Sequence, residues 1–188
     1  MRPHRRIARR VVTLLAAGEL DGSQISEAAM DSSDVKRTLA TGGVSSIAFA
    51  SSGLEHETRE SRGLISRFTN GEQANGTGPD EGDLTMKIHG LVRKAVNSRL
   101  TIPAEVDSAE RSLIVVSGPP SEFSQKGLCR AREWLERETN SVEVLAGDDP
   151  RRGASTLSIA VLLSNVTNVE RVEALQDLAA DAESNIQQ

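Results

Sequence analysis

Apolar side chains recur with helical spacing along much of this chain, and in between they gather into short runs. Ile7, Val11, Leu14 and Leu15 share one face of a stretch over residues 5–17 that stops at Gly18. Arg5, Arg6, Arg9 and Arg10 lie largely on its other face. Val35 and Leu39, at i and i+4, predict a short helix over 31–40. Leu84, Ile88, Leu91, Val92 and Ala95 predict a longer one through Asn97, and Leu128, Ala131 and Leu135 another over 121–139. A Thr167-x-x-Glu170 capping box opens a last helix running to Glu183, with Val169, Val172, Leu175 and Ala179 as its apolar positions. Runs of strand character lie at Val44–Ala50, Leu113–Val116, Val142–Leu145 and Leu157–Leu163. Gly42-Gly43 precedes the first of these, Gly118-Pro-Pro120 ends the second, and Gly147-Asp-Asp-Pro150 closes the third.

Between residues 51 and 83 the pattern gives way to Gly, Ser, Glu, Asn and Thr, and Thr69–Gly82 reads as a solvated loop or linker. A short docking element, Gly63-Leu-Ile-Ser-Arg-Phe68, is the exception within it. The chain therefore divides into residues 1–50, a linker over 51–83, a domain over 84–183 and a tail over 184–188. Packing the helices onto one face of a small mixed sheet buries their stripes. The expected fold class is α+β, a two-layer sandwich.

Composition narrows the chemistry. Three Phe, one Trp and no Tyr in 188 residues leave the core to Val, Ile, Leu and Ala. A net charge of −5 argues against general nucleic-acid binding. Cys129 is the sole cysteine, so no internal disulfide framework exists and a reducing, cytoplasmic setting is the default. No apolar run approaches the ~20 residues of a membrane-spanning helix. His4, His56 and His89 have no metal-ligand spacing around them. Cys129 and Trp134 read as packing residues. The basic start, Arg5 to Arg10, reads as a solvated or inter-domain face.

Two acids, Asp31 and Asp34, open the short helix. By spacing, Asp31 is an N-cap and Asp34 a first-turn carboxylate. Beside this local reading stands a resemblance carried by strings in order along nearly the whole chain. They are Ile7-Ala-Arg-Arg-Val-Val-Thr-Leu-Leu-Ala-Ala-Gly-Glu19, Asp31-Ser-Ser-Asp-Val35, Gly42-Gly-Val-Ser-Ser-Ile-Ala48, Gly63–Phe68, Arg99-Leu-Thr-Ile-Pro103, Ile114-Val-Val-Ser-Gly-Pro-Pro120, Lys126-Gly127, Trp134-Leu-Glu136 and Leu162-Leu-Ser-Asn-Val166. Together they resemble the C-terminal half of tubulin/FtsZ-type GTPases, in the style of the haloarchaeal CetZ group.

The resemblance implies that residues 5–17 end the inter-domain core helix and that 18–34 form the loop reaching the next subunit's nucleotide. It implies head-to-tail polymerisation with full-length tubulin/FtsZ-like subunits, in service of cell shape or division. Asp31 and Asp34 would then be catalytic on the neighbour's GTP, orienting the water that attacks the γ-phosphate. FtsZ has an Asn two residues before the first acid, where this chain has Ala29. The family's Gly-Gly-Gly-Thr-Gly-type phosphate loop is absent. Asn75-Gly-Thr-Gly78 is followed by Pro79 and has no strand before it, so it lacks the helix N-terminus that cradles phosphate. GTP would be held by another domain or a partner. The alternatives are a filament-capping interaction module without nucleotide binding, or a truncated gene product.

Overall fold

The structure is a computed structural model that describes residues 11, 12, 14, 31–54, 80–98, 100–167 and 169–186. Of the helix expected over 5–17, Val11, Val12 and Leu14 are described and helical. The arginine row at 5–10, the loop 18–30, Asn75–Gly78 and Gly63–Phe68 lie outside the described residues.

Helix α1 (Ser32–Leu39) leads through Gly42-Gly43 into strand β1 (Val44–Gly53). Both glycines have positive φ, and a Cβ on Gly43 would stand 2.1 Å from Asn165 Oδ1. That position accepts no side chain. Then come α2 (Glu81–Val96), β2 (Arg111–Gly118), α3 (Gln125–Thr139), β3 (Glu143–Pro150), β4 (Thr156–Val166) and α4 (Glu170–Ile186). The sheet order is β1-β4-β2-β3. β4 runs antiparallel to both β1 and β2, and β2 runs parallel to β3. The starts of β1, β2 and β3 and the end of β4 therefore meet at one end of the sheet.

The α+β sandwich is the expected one. Ile88, Leu91, Val92 and Ala95 of α2 and Leu128, Ala131 and Leu135 of α3 pack on Ala48, Ala50, Ile114, Val116, Ile159, Val161 and Leu163 of the sheet. Ser124 caps α3 by accepting from the Gly127 N–H at 3.0 Å, and its hydroxyl meets that of Thr85 on α2 at 3.0 Å. At Gly127 the two helices come so close that a Cβ would sit 3.0 Å from the Thr85 Cα. The opposite face of the sheet is covered as well. Val35 of α1 and Leu14 bury there against Ile47, Leu113, Val115, Ala160 and Leu162.

Several details differ from the sequence expectation, and β1 and α2 reach to Gly53 and Glu81 into the stretch expected as a linker over 51–83. β3 does not close at Gly147 but continues to Pro150, in register with β2 from Arg111↔Glu143 to Gly118↔Pro150. Its polar residues are tolerated because they are partnered: Asp149, buried, accepts from Ser117 Oγ at 2.8 Å and Arg151 Nε at 2.6 Å. Pro150 ends an edge strand, where a missing N–H breaks no ladder. Cys129 is exposed rather than packed. In α4 only the first turn is held, by Val169 and Val172, while Leu175 and Leu178 are 66% and 64% exposed.

Candidate functional site

α1 is a short helix with a strong local start. Asp31 has extended backbone geometry, and its carboxylate accepts from the Ser33 N–H at 2.6 Å and the Asp34 N–H at 3.2 Å. The Asp34 carboxylate reaches back to the Asp31 N–H at 3.1 Å, completing a reciprocal capping box. The two acids that spacing singled out thus hold one another's backbone. Donation from Ser33, side chain and backbone, holds the Asp31 carboxyl below the usual carboxylate range. Asp31 remains exposed, and Asp34 is half-buried.

Two anchors fix this turn on the sheet. Val35 is buried at 3% exposure among apolar residues of β1, β2 and β4. Burying such a side chain contributes about 1.5–3 kcal/mol. At the helix's other end, Arg37 Nε donates to Glu143 Oε2 at 3.1 Å, and the Arg37 carbonyl accepts from Arg111 Nη1 at 2.7 Å. Glu143 lies between two guanidinium groups, and Arg111 Nε, buried, stands 3.8 Å from its carboxylate without a hydrogen bond. This clamp joins residues of β2 and β3 to α1 and was not visible in the sequence.

The turn sits at the end of the sheet where β1, β2 and β3 start. Thr41 Oγ1 meets Ser164 Oγ of β4 at 3.1 Å, and the Thr101 N–H bonds the Ile47 carbonyl at 3.1 Å. The same end carries exposed apolar side chains: Leu39 at 40%, Ile102 at 36% and Val142 at 74%. An end of the sheet that carries both an exposed acidic turn and bare aliphatic groups is suited to a contact with another macromolecule.

The free N–H groups at the start of α1 that could face a phosphate are engaged by the Asp31 carboxylate. Two carboxylates repel phosphate, but they can accept hydrogen bonds from a water. Among the described residues no group of three or more His, Cys, Asp or Glu could hold a metal ion. No described helix is long and apolar enough to cross a membrane.

Comparisons agree on the kind of protein. The chain is 43% identical over 183 residues to tubulin-like protein CetZ1 of Haloferax volcanii, a match covering 97% of this chain and 46% of that protein. It therefore spans about half the length of the curated relatives it matches. The GTPγS-bound protofilament of CetZ2 from the same organism superposes with a TM-score of 0.70 at 31% identity, covering 97% of this chain and 45% of that one. The GDP-bound CetZ1 monomer gives a TM-score of 0.67 at 39% identity, over 82% of this chain and 39% of that one. Residues 2–181 match the family described as tubulin-like CetZ, C-terminal domain, and the chain belongs to that family.

Proposed function

We propose that this chain is part of a cytoplasmic, CetZ-like cytoskeletal GTPase that polymerises head-to-tail, in service of cell shape or division. In this reading the residues before β1 end a nucleotide-binding domain, the linker expected over 51–83 shrinks to the stretch between β1 and α2, and β1 joins the residues from Glu81 onward in the sandwich that presents one contact face. Asp31 and Asp34 are catalytic on the GTP of the neighbouring subunit. They orient the attacking water, in a reaction where the protein's work is positioning and electrostatics. The observation that carries the reading is the capped Asp31–Asp34 turn at the same sheet end as exposed Leu39, Ile102 and Val142. A contact between that end and a different surface of the next subunit is heterologous, and such contacts propagate into filaments.

The test is to add the chain to GTP-loaded, full-length CetZ1 of Haloferax volcanii and follow phosphate release and filament mass. The reading expects binding to the exposed nucleotide end and faster hydrolysis there. Asp31→Asn with Asp34→Asn should still bind but lose the acceleration by about 10²–10³-fold, the range for removal of one preorganised catalytic contact. Capping of a filament end is the second reading. Substoichiometric loss of filament, unchanged by the double substitution and without extra hydrolysis, would establish capping instead.

A further inference from the structure

The outer face of the α2–α3 layer is basic in a chain of net charge −5. Met86, His89 and Arg93 follow one another at helical spacing on α2. Lys126, Arg130, Trp134 and Arg137 do so on α3, with Glu133 and Glu138 the carboxylates beside them. The two rows meet: the Trp134 ring stands edge-on to His89, 6.1 Å between centroids, and Arg93 lies 5.7 Å over Trp134. His89 senses the field. Burial and then Arg93, Arg130 and Arg137 push its pKa below the ordinary value. Arg93, Arg130 and Arg137 form no ion pair with another described residue.

An acidic counterpart exists on the same chain. α4 leaves the sandwich after Val172, and Glu170, Glu173, Asp177 and Asp181 recur along one side of it. Both the acidic row, 170 to 181, and the basic row, 126 to 137, span twelve residues, about 16 Å from end to end along the helix axis. The rows match in length and oppose in sign. Leu175 lies on the other side of α4, and Leu178 borders the row, three residues before Asp181.

We propose that the basic α2–α3 face binds the acidic row of α4 from a second copy of this chain. The contact joins two different surfaces, so it is heterologous and can continue from copy to copy. The basic half lies on the outer side of the α2–α3 layer, and the acidic half leaves from the end of β4. The contact stands independently of the GTPase reading, since no nucleotide takes part.

Sedimentation velocity of the intact chain at low ionic strength tests this. Association that grows with protein concentration is expected, and salt should reverse it as the screening length shrinks to about 3 Å near 1 M. Arg130→Glu with Arg137→Glu, or Glu173→Arg with Asp177→Arg, should each weaken association about tenfold. Mixing the two variants should restore it, since one supplies an intact acidic row and the other an intact basic row. Leu175→Ser with Leu178→Ser should change nothing. The proposal is overturned if the chain stays monomeric, if the leucine pair rather than the charges controls association, or if the mixture fails to recover. Binding to phosphatidylserine vesicles that needs Arg130 and Arg137, without self-association, would assign the face to an anionic membrane surface and overturn it too.

Discussion

Asp31 is an N-cap, and one substitution can separate that role from the proposed catalytic one. Its carboxylate ends α1 by accepting two backbone N–H groups, and in the proposed reading it also faces the neighbour's nucleotide. Asp31→Asn keeps an acceptor at the N-cap, where Asn is as good as Asp, but removes the charge. Asp31→Ala removes both. Hydrogen exchange on the amides of Ser33 and Asp34 should therefore be near native in the Asn variant and fast in the Ala variant, while any stimulation of hydrolysis should fall in both. If the Asn variant stimulates fully, the charge is not needed and Asp31 is only a cap. The pH dependence follows from the depressed pKa. Its contribution to stability is fully present above the unfolded value of about 3.9 and is lost as pH falls through the lower folded value. The first-turn amides of α1 should thus stay protected on acidification until below the usual carboxylate range. Arg37, Arg111 and Glu143 act differently: they hold the far end of α1 and do not touch the turn's own hydrogen bonds.

At the scale of elements, α2 and α3 are held at close approach by what Gly127 lacks. A side chain there meets the Thr85 Cα at 3.0 Å and Ile88 Cβ and Cδ1 at 3.3 Å. Gly127→Val should destabilise the chain by about 1–3 kcal/mol through overpacking, read as a lower urea midpoint at unchanged slope. An unchanged midpoint would mean the two helices slide apart freely. The pairing of α2 with α3 was legible in part. The Leu84-to-Ala95 stripe announces a helix with one buried face, and Ser124 is a good cap residue. That the two meet at Gly127 depends on tertiary approach, which periodicity does not carry. The same limit explains β3 and α4. Asp148-Asp149 looks like a turn because the partners of Asp149, Ser117 and Arg151, come from beyond the strand's own residues. Leu175 looks like a core position because spacing reports an apolar side and says nothing of whether an element stands opposite it. In the site, the Asp31–Asp34 box was legible as a purely local pattern, whereas the Arg37–Glu143 contact spans 106 residues of sequence and was not. Val142, expected as the first residue of the third strand, stands just before β3 with its side chain bare.

For the whole molecule, the sheet's topology decides what each end can do. One antiparallel strand, β4, between β1 and β2, with β3 parallel to β2, brings three strand starts to the end where α1 sits. The α2–α3 layer covers one face of the sheet, and Val35 with Leu14 covers the other. The end is therefore both the place with the acidic turn and the place with unburied aliphatic groups. Val142 separates assembly from folding most cleanly, because at 74% exposure it contributes little to the fold. Val142→Asp should leave thermal stability within about 0.5 kcal/mol of the parent, as surface substitutions do. It should abolish end-to-end association with a CetZ-type partner, since it places a charge where a buried apolar contact would form. Val142→Ala should weaken that association only modestly. Light scattering of mixed subunits, with calorimetry of the isolated chain as the folding control, reads both quantities. Loss of stability in Val142→Asp would place Val142 in the fold rather than the contact. Undiminished assembly would move the head-to-tail contact away from this end of the sheet, and with it the proposed role of Asp31 and Asp34.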